Sequence, residues 1–330
     1  MSKFNLNRIT PKENIKLIEA INRAASKKEI VCEVDCGGGN CGRWSAGAKT
    51  ALYDLGFFPA ITMGAGTSVG ALNILMSTVY HNDWDIAVDT WCNITKNSDI
   101  YSKGMLQCNN LFDAMGMGSQ ILKDNKGQYV LYPDGLYKIF EQHFGKYKMG
   151  DLPLKTITTT TNLQTLDMIE YVSTIDTDIY CVDAAKRSSA MNGIFPMQED
   201  DKGQYVDGGW GNNTPVTSAI KNGATKILLI GTTPDKVEKK RIKNNIIEIA
   251  GRSVEGAMHI FEEKMWDEYN QYELRCNDNS NLNRIEKLAI YPINDACSST
   301  DFTNVKIMQD GYDYVINNIS IDTLINFLDK

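Results

Sequence analysis

The chain has 330 residues, 42% of them hydrophobic and 23% charged. This ordinary globular usage excludes a largely disordered chain and suits one large α/β domain or two small ones. A net charge of −7 gives no general pull toward nucleic acid or anionic lipid, so no nucleic-acid partner is expected.

Residues 1–28 read as an N-terminal extension, loose over its first ten residues and helical from Glu13 to Lys27, where Ile15, Ile18, Ile21 and Ala24 recur at helical spacing. Residues 29–330 read as one domain. It begins with a strand, Glu29–Asp35, followed by a cluster of glycines at 37, 38, 39 and 42. A helix, Arg43–Leu55, closes on Gly56. A second strand, Pro59–Met63, runs into Gly64-Ala-Gly-Thr-Ser-Val-Gly70, and Ala71–Tyr80 is an apolar helix. This alternation is the start of a three-layer α/β/α domain with a mostly parallel central sheet.

Trp84–Gly145 is helical and irregular, and its stretch Gly104–Gly118 carries Met105, Met115 and Met117. A lid or lipid-entry segment and plain core filling both suit such a stretch. Strands follow at Leu154–Thr161 and Met168–Ser173, a helix at Ile179–Ala190, and a short strand Gln204–Val206 running into Asp207-Gly-Gly209. Thr225–Gly231 is a buried strand, Lys239–Tyr272 a long amphipathic helix, Leu288–Ile293 a last strand and Asn304–Asn317 a closing helix. The basic run Lys236–Asn244 reads as a solvated helix start, with a local basic patch as the alternative. The first sixteen residues hold no long apolar segment, so neither a secretory signal nor a transmembrane helix is read. The expected setting is cytoplasmic or otherwise soluble, with membranes met peripherally and any export by a non-classical route.

The eight cysteines include no CxxC pair, and Cys32, Cys36 and Cys41 are spaced unlike a zinc site. Cys32 and Cys36 share one face of a strand and read as buried free thiols, which fits a reducing compartment.

Three segments carry chemistry. Gly66-Thr-Ser-Val-Gly70 is G-x-S-x-G between a strand and a helix. Such a turn strains the backbone at Ser68, lifts its hydroxyl clear of the sheet end, and sets the next helix N-terminus beside it. The bland alternative is a tight turn with a capping serine. Gly37-Gly-Gly-Asn-Cys-Gly42 suits either a dinucleotide loop or an oxyanion hole. A dinucleotide site needs an acidic residue ending the next strand, and that strand instead runs into the serine turn. Asp207-Gly208-Gly209 offers a carboxylate held between a strand and a turn. The three histidines, His81, His143 and His259, lie in no recognisable catalytic turn and read as structural.

In this order, the three motifs and their flanks resemble the patatin-like phospholipases over roughly residues 29–317. The flanks that carry the likeness are Gly37–Gly56, Arg187–Pro196 and Asp207–Pro215, with a fainter match at Asp301–Asn304 and Gly311-Tyr312. The resemblance implies a lipid acyl hydrolase of the phospholipase A type. Ser68 would be its nucleophile and Asp207 its base, without a histidine. Backbone N–H groups of Gly37, Gly38 and Gly39 would form the oxyanion hole, with Gly42, Arg43, Gly66, Gly70, Gly208 and Gly209 as supporting motif residues. No metal or cofactor is implied. The partner is a phospholipid or other acyl lipid at a membrane surface; the need for an activator and the oligomeric state stay open. One departure stands out. The family carries Lys or Arg just before the last glycine of the loop, where this chain has Cys41, with Arg43 following Gly42. A general carboxylesterase or thioesterase, and an inactive lipid-binding protein on the same fold, remain alternatives.

Overall fold

The computed structural model describes residues 3–11, 13–81, 83–102, 129, 131–234, 260, 263–273, 284–294, 297 and 301–330. The methionine-rich stretch, the basic run, His259 and most of the expected 239–272 helix lie outside the described residues.

The described elements, in chain order, begin with α1 (Ile15–Ser26), β1 (Val31–Asp35), α2 (Gly42–Asp54), β2 (Met63–Thr67), α3 (Val69–Val79), α4 (Asp85–Asn93) and α5 (Asp134–Phe144). There follow β3 (Lys155–Asn162), β4 (Met168–Val172), α6 (Cys181–Ser188), β5 (Gln198–Asp200), β6 (Gly203–Asp207), α7 (Gly209–Asn212) and α8 (Val216–Lys221). The chain closes with β7 (Lys226–Ile230), β8 (Glu286–Ile290), α9 (Ile307–Asn318) and α10 (Ile321–Asp329).

All eight described strands join one sheet in the order β5-β6-β3-β2-β1-β7-β8, with β4 paired to β3. The centre is parallel, and only β4, β5 and β6 pair antiparallel. Central strands buried on both faces should be apolar throughout, and β7, Lys-Ile-Leu-Leu-Ile, is buried at every position. Its Leu228 and Ile230 feed one core, and Ile227 and Leu229 another. The first core lies under α1, α2, α3, α9 and α10, and the second under α8 and the helical residues 263–273. Two cores on opposite faces of one sheet make the three α/β/α layers.

Helices α2 and α9 cross closely. A side chain at Gly47 would strike the Met308 carbonyl, and one at Gly311 the Trp44 carbonyl. The N-terminus departs from the expected loose extension. Phe4 N–H donates to Cys92 O (3.1 Å), Ile9 N–H to the Tyr312 hydroxyl (2.8 Å), and Arg8 pairs with buried Asp54 and with Asp85. Helix α1 buries Leu17, Ala20 and Ala24 in the first core.

The second strand also differs from its expected place. Phe58–Ala60, containing Pro59, forms a 3₁₀ turn, and the strand is Met-Gly-Ala-Gly-Thr. Strand propensity passes over two glycines, yet both are needed. A Cβ on Gly66 would meet the Gly70 carbonyl, and one on Gly64 would meet Ile74.

The register of β3 sets the geometry of the site. Thr160 pairs with Ile169 of β4 and with Asp207 of β6, so those strands flank β3 on opposite edges. β6 therefore continues along the edge that β2 leaves at Thr67↔Thr159. β2 runs parallel to β3 and β6 antiparallel, so their C-terminal ends meet head to head.

Candidate active site

Ser68 follows β2 at that junction, and Asp207 ends β6. Ser68 has φ 54° and ψ −123°, a conformation that costs a non-glycine residue of order 1–3 kcal/mol. The turn persists because its neighbours fix it. A Cβ on Gly70 would collide with the Asp35 carbonyl, so α3 abuts the end of β1. The Thr67 hydroxyl lies 2.6 Å from that of Thr159 and donates to Asn212 O (2.7 Å). Ser68 N–H donates to Ser188 Oγ (2.9 Å).

The Ser68 hydroxyl donates to Asp207 Oδ2 at 2.7 Å, and Gly209 N–H donates to Oδ1 at 2.7 Å. Both side chains are buried. Burial pushes the Asp207 carboxyl up to about 6, against the opposing pull of the Ser68 and Gly209 hydrogen bonds. The turn after α6 ties the two halves together. Ser188 O accepts from Gly208 N–H (3.3 Å) and Ala190 O from Asp207 N–H (2.9 Å). Sequence reasoning did not single out Ser188. The flanking match over Arg187–Pro196 was the signal that could have found it.

The glycine loop lies alongside. Gly37 N–H donates to Asn213 O (3.1 Å), and its carbonyl accepts from the Thr232 hydroxyl (2.5 Å). Gly37 is thus committed to holding the loop, which differs from its expected share in an oxyanion hole. Among the described residues, Gly38 and Gly39 N–H donate to no backbone acceptor outside the helices and strands. Gly39 has φ 55°, a backbone shape suited to glycine. Gly42 begins α2 and packs against Val69, where a Cβ would not fit. Gly208 packs as tightly against Thr159.

Arg43 points elsewhere. Its guanidinium is fully buried, donates to Ile94 O (2.8 Å) and lies 5.7 Å from the Trp91 ring centre. Its Nε and Nη1 have no partner among the described residues, and burial pulls its pKa down to about 10. It makes no hydrogen bond to Gly37, Gly38 or Gly39 among the described residues. Cys41 instead forms a disulfide with Cys297, a pairing absent from the sequence reading. Cys32 and Cys36 are buried outside any disulfide, as are Cys92 and Cys181, and Cys36 Sγ lies 3.2 Å from the Thr214 hydroxyl. His143 is held between the Tyr80 hydroxyl (2.9 Å) and the Thr90 hydroxyl (3.1 Å), a structural placement. Among the described residues, no three His, Cys, Asp or Glu side chains are grouped to hold a metal ion. No described helix is long and apolar enough to cross a membrane.

Ser68 and Gly39 open onto an apolar cleft walled by Leu72, Trp91, Phe140 and Phe302. Its volume is about 40 Å³.

A family model described as patatin-like phospholipase matches residues 34–220. No curated protein sequence matches the chain. Among solved structures, it is similar to VipD from Legionella pneumophila at 14% identity and a TM-score of 0.46, covering 100% of this chain and 71% of that one. It is also similar to human GIVD cytosolic phospholipase A2 in complex with methyl γ-linolenyl fluorophosphonate, at 11% identity and a TM-score of 0.42. That match covers 95% of this chain and 63% of the human protein, so the chain spans less than two thirds of that structure.

Proposed function

Because the chain belongs to the patatin-like phospholipase family, we propose that it is a lipid acyl hydrolase of the phospholipase A type working through Ser68 and Asp207. The observation that carries this reading is the 2.7 Å hydrogen bond from a strained serine hydroxyl to a buried carboxylate.

Asp207 Oδ2 takes the proton as Ser68 Oγ attacks the ester carbonyl. An aspartate is a weak base in water, with reference pKa about 3.9. The dry site strengthens it, and Gly209 N–H keeps the other oxygen in place. Gly38 and Gly39 N–H groups bind the oxyanion that forms. The alcohol or lysolipid leaves with the proton, and Ser68 keeps the acyl group. Asp207 then activates water, which releases the fatty acid. The apolar cleft receives the acyl chain. Its small volume favours a second reading, a carboxylesterase or thioesterase acting on short acyl groups.

Fatty-acid release from mixed phospholipid vesicles, beside cleavage of a short-chain nitrophenyl ester, tests both readings. Lipid release that Ser68→Ala and Asp207→Asn both lose is the expected result. Ester cleavage alone favours the second reading. A Ser68→Ala protein with wild-type turnover would overturn both.

A further inference from the structure

The glycine loop is held firmly upstream of Gly38. Gly37 uses its N–H on Asn213 and its carbonyl on Thr232. Downstream, Asn73 Nδ2 donates to Gly42 O (3.0 Å) at the start of α2, but that bond lies past the residues between Gly38 and Gly42. Asn40 is fully buried with both amide atoms unpartnered among the described residues, and the Arg43 guanidinium packs against Ile94 and Trp91. The tie nearest Gly39 on the downstream side is covalent. Cys41 closes the 3₁₀ turn Gly39–Cys41, its N–H donates to Gly38 O (3.1 Å), and its sulfur is bonded to Cys297.

That bond closes a ring around the loop. Cys297 Sγ lies 4.0 Å from Thr232 O, and the Thr232 hydroxyl donates to Gly37 O. Thr232 and Cys297 thus brace both ends of the Gly37–Cys41 segment. Five residues beyond Cys297, Phe302 walls the cleft together with Gly39 and Ser68. We propose that the Cys41–Cys297 disulfide is the positioning strut of the oxyanion loop, and that its reduction by a dithiol slows turnover while leaving the Ser68–Asp207 pair in place. The proposal rests on the reading of Gly38 and Gly39 as oxyanion donors.

The chemistry is thiol–disulfide exchange. Cys297 is half-buried and Cys41 fully buried, so the attack falls on Cys297 Sγ. A dithiol's thiolate bonds to that sulfur as the S–S bond breaks, and Cys41 leaves as a thiolate. The second thiol of the reagent then displaces Cys297. The reagent is oxidised to its own disulfide, two electrons pass to the protein, and both cysteines take up protons. A disulfide glutathione reverses the process. With the strut open, the Gly38–Gly39 peptide keeps its upstream anchors and the Asn73–Gly42 hydrogen bond, and loses the tie at Cys41.

Removing one oxyanion donor costs ~10²–10³ in kcat in other hydrolases. A donor misplaced rather than removed should cost at least about tenfold in kcat, with little change in KM. A bond spanning 256 residues also restrains the unfolded chain, so reduction lowers stability as well. Turnover must therefore be measured well below the melting temperature of each form.

The test measures kcat, KM and the pH profile on a short-chain ester for the full chain in three states: oxidised, treated with dithiothreitol, and reoxidised with glutathione disulfide. Cys297→Ser is measured alongside, and peptide mass spectrometry reports the 41–297 link. The expected result is a linked peptide, a kcat that falls on reduction and returns on reoxidation, and a low, reductant-insensitive kcat in Cys297→Ser. The acid limb of the pH profile should stay the same in every form. Free thiols at 41 and 297 in the air-oxidised chain would overturn the proposal. Equal kcat in all forms, or a loss of turnover that follows loss of folded protein, would also overturn it, with the functional reading left standing. Absence of Ser68-dependent turnover in the oxidised chain would overturn that reading and this proposal together.

Discussion

Thr67 and Asp207 pair with consecutive residues of β3, Thr159 and Thr160, from the same edge of that strand. Two strands of opposite direction end against each other there, and the residue after Thr67 is Ser68. A hydroxyl and a carboxylate 139 residues apart in sequence are thereby held at 2.7 Å by backbone pairing. Side-chain substitutions at either position should therefore leave the junction standing.

The first prediction uses the strain at Ser68. At φ 54° a Cβ is unfavourable, so Ser68→Gly should be more stable than Ser68→Ala by about 1 kcal/mol, both having lost the hydrogen bond to Asp207. Both should lose turnover, by a factor on the order of 10⁶ in kcat if Ser68 is the nucleophile. Denaturant melts beside ester cleavage check this. A Ser68→Gly protein less stable than Ser68→Ala would contradict the strain.

Asp207 gives a pH prediction. Its carboxyl is pushed up to about 6 by burial, and in the proposed mechanism only the ionised form accepts the serine proton. kcat/KM should therefore fall about tenfold per pH unit below 6. The stability effect has the opposite sign. A carboxyl with a raised pKa in the folded state stabilises the fold when protonated, and that contribution is lost as pH rises from about 4 through 6. Asp207→Asn should thus be more stable than wild type at pH 8, by roughly 2–3 kcal/mol from the size of the shift, and inactive. Urea melts at pH 5 and pH 8 should show the gap between the two proteins widening with pH.

Ser188 offers a subtler test. Its Oγ accepts the Ser68 N–H inside the protein, so Ser188→Ala leaves a buried donor unpaired. That costs about 1–3 kcal/mol, part of it in stability and part as a slower kcat through a misplaced Ser68. Nitrophenyl ester kinetics should show kcat lowered about tenfold and KM little changed. Wild-type kcat would show that the bond does not orient the turn.

Much of this arrangement is legible in the sequence because it rests on local backbone demands. Gly-Gly-Gly, G-x-S-x-G and D-G-G each mark a place where the chain must turn sharply or pass close to another segment, and such needs are written in adjacent residues. β7 is legible because a doubly buried strand must be apolar. The remainder depends on long-range meetings. Cys41 and Cys297 are 256 residues apart, and no spacing rule reaches so far. β2 is hidden by the glycines that let α3 abut it, and Pro59 draws the expected strand too early. The N-terminal strap is polar in composition, and its order comes from Asp54, Gln309 and Tyr312, which lie far along the chain. Lys49 resembles any lysine of an amphipathic helix until the fold places it over β1.

Lys49 supplies the last prediction. It lies 2.9 Å from Asp35 Oδ2 and 3.1 Å from Glu33 Oε1, donates to Asn73 O at 3.1 Å, and sits 5.0 Å from the Trp84 ring centre. All three charged groups are buried, Glu33 and Asp35 on the strand that leads into the glycine loop and Lys49 on α2 beside it. Burial pushes the Asp35 carboxyl up to about 7, with Lys49 pulling down and Glu33 pushing up. Removing the cation leaves two carboxyls without a counter-charge, and breaking such a buried pair costs roughly 3–5 kcal/mol. Without Lys49 the Asp35 carboxyl is pushed higher still, so the cost of Lys49→Met should be largest at pH 8, where the wild type holds Asp35 ionised, and smaller at pH 5, where Asp35 is protonated in both proteins. Adding Glu33→Gln should recover part of the loss at pH 8, because one of the two like charges is gone. Denaturant melts of the wild type, Lys49→Met and the double variant at both pH values check this. A Lys49→Met penalty independent of pH, and unrelieved by Glu33→Gln, would mean that Lys49 matters for its packing against Trp84 and not for its charge.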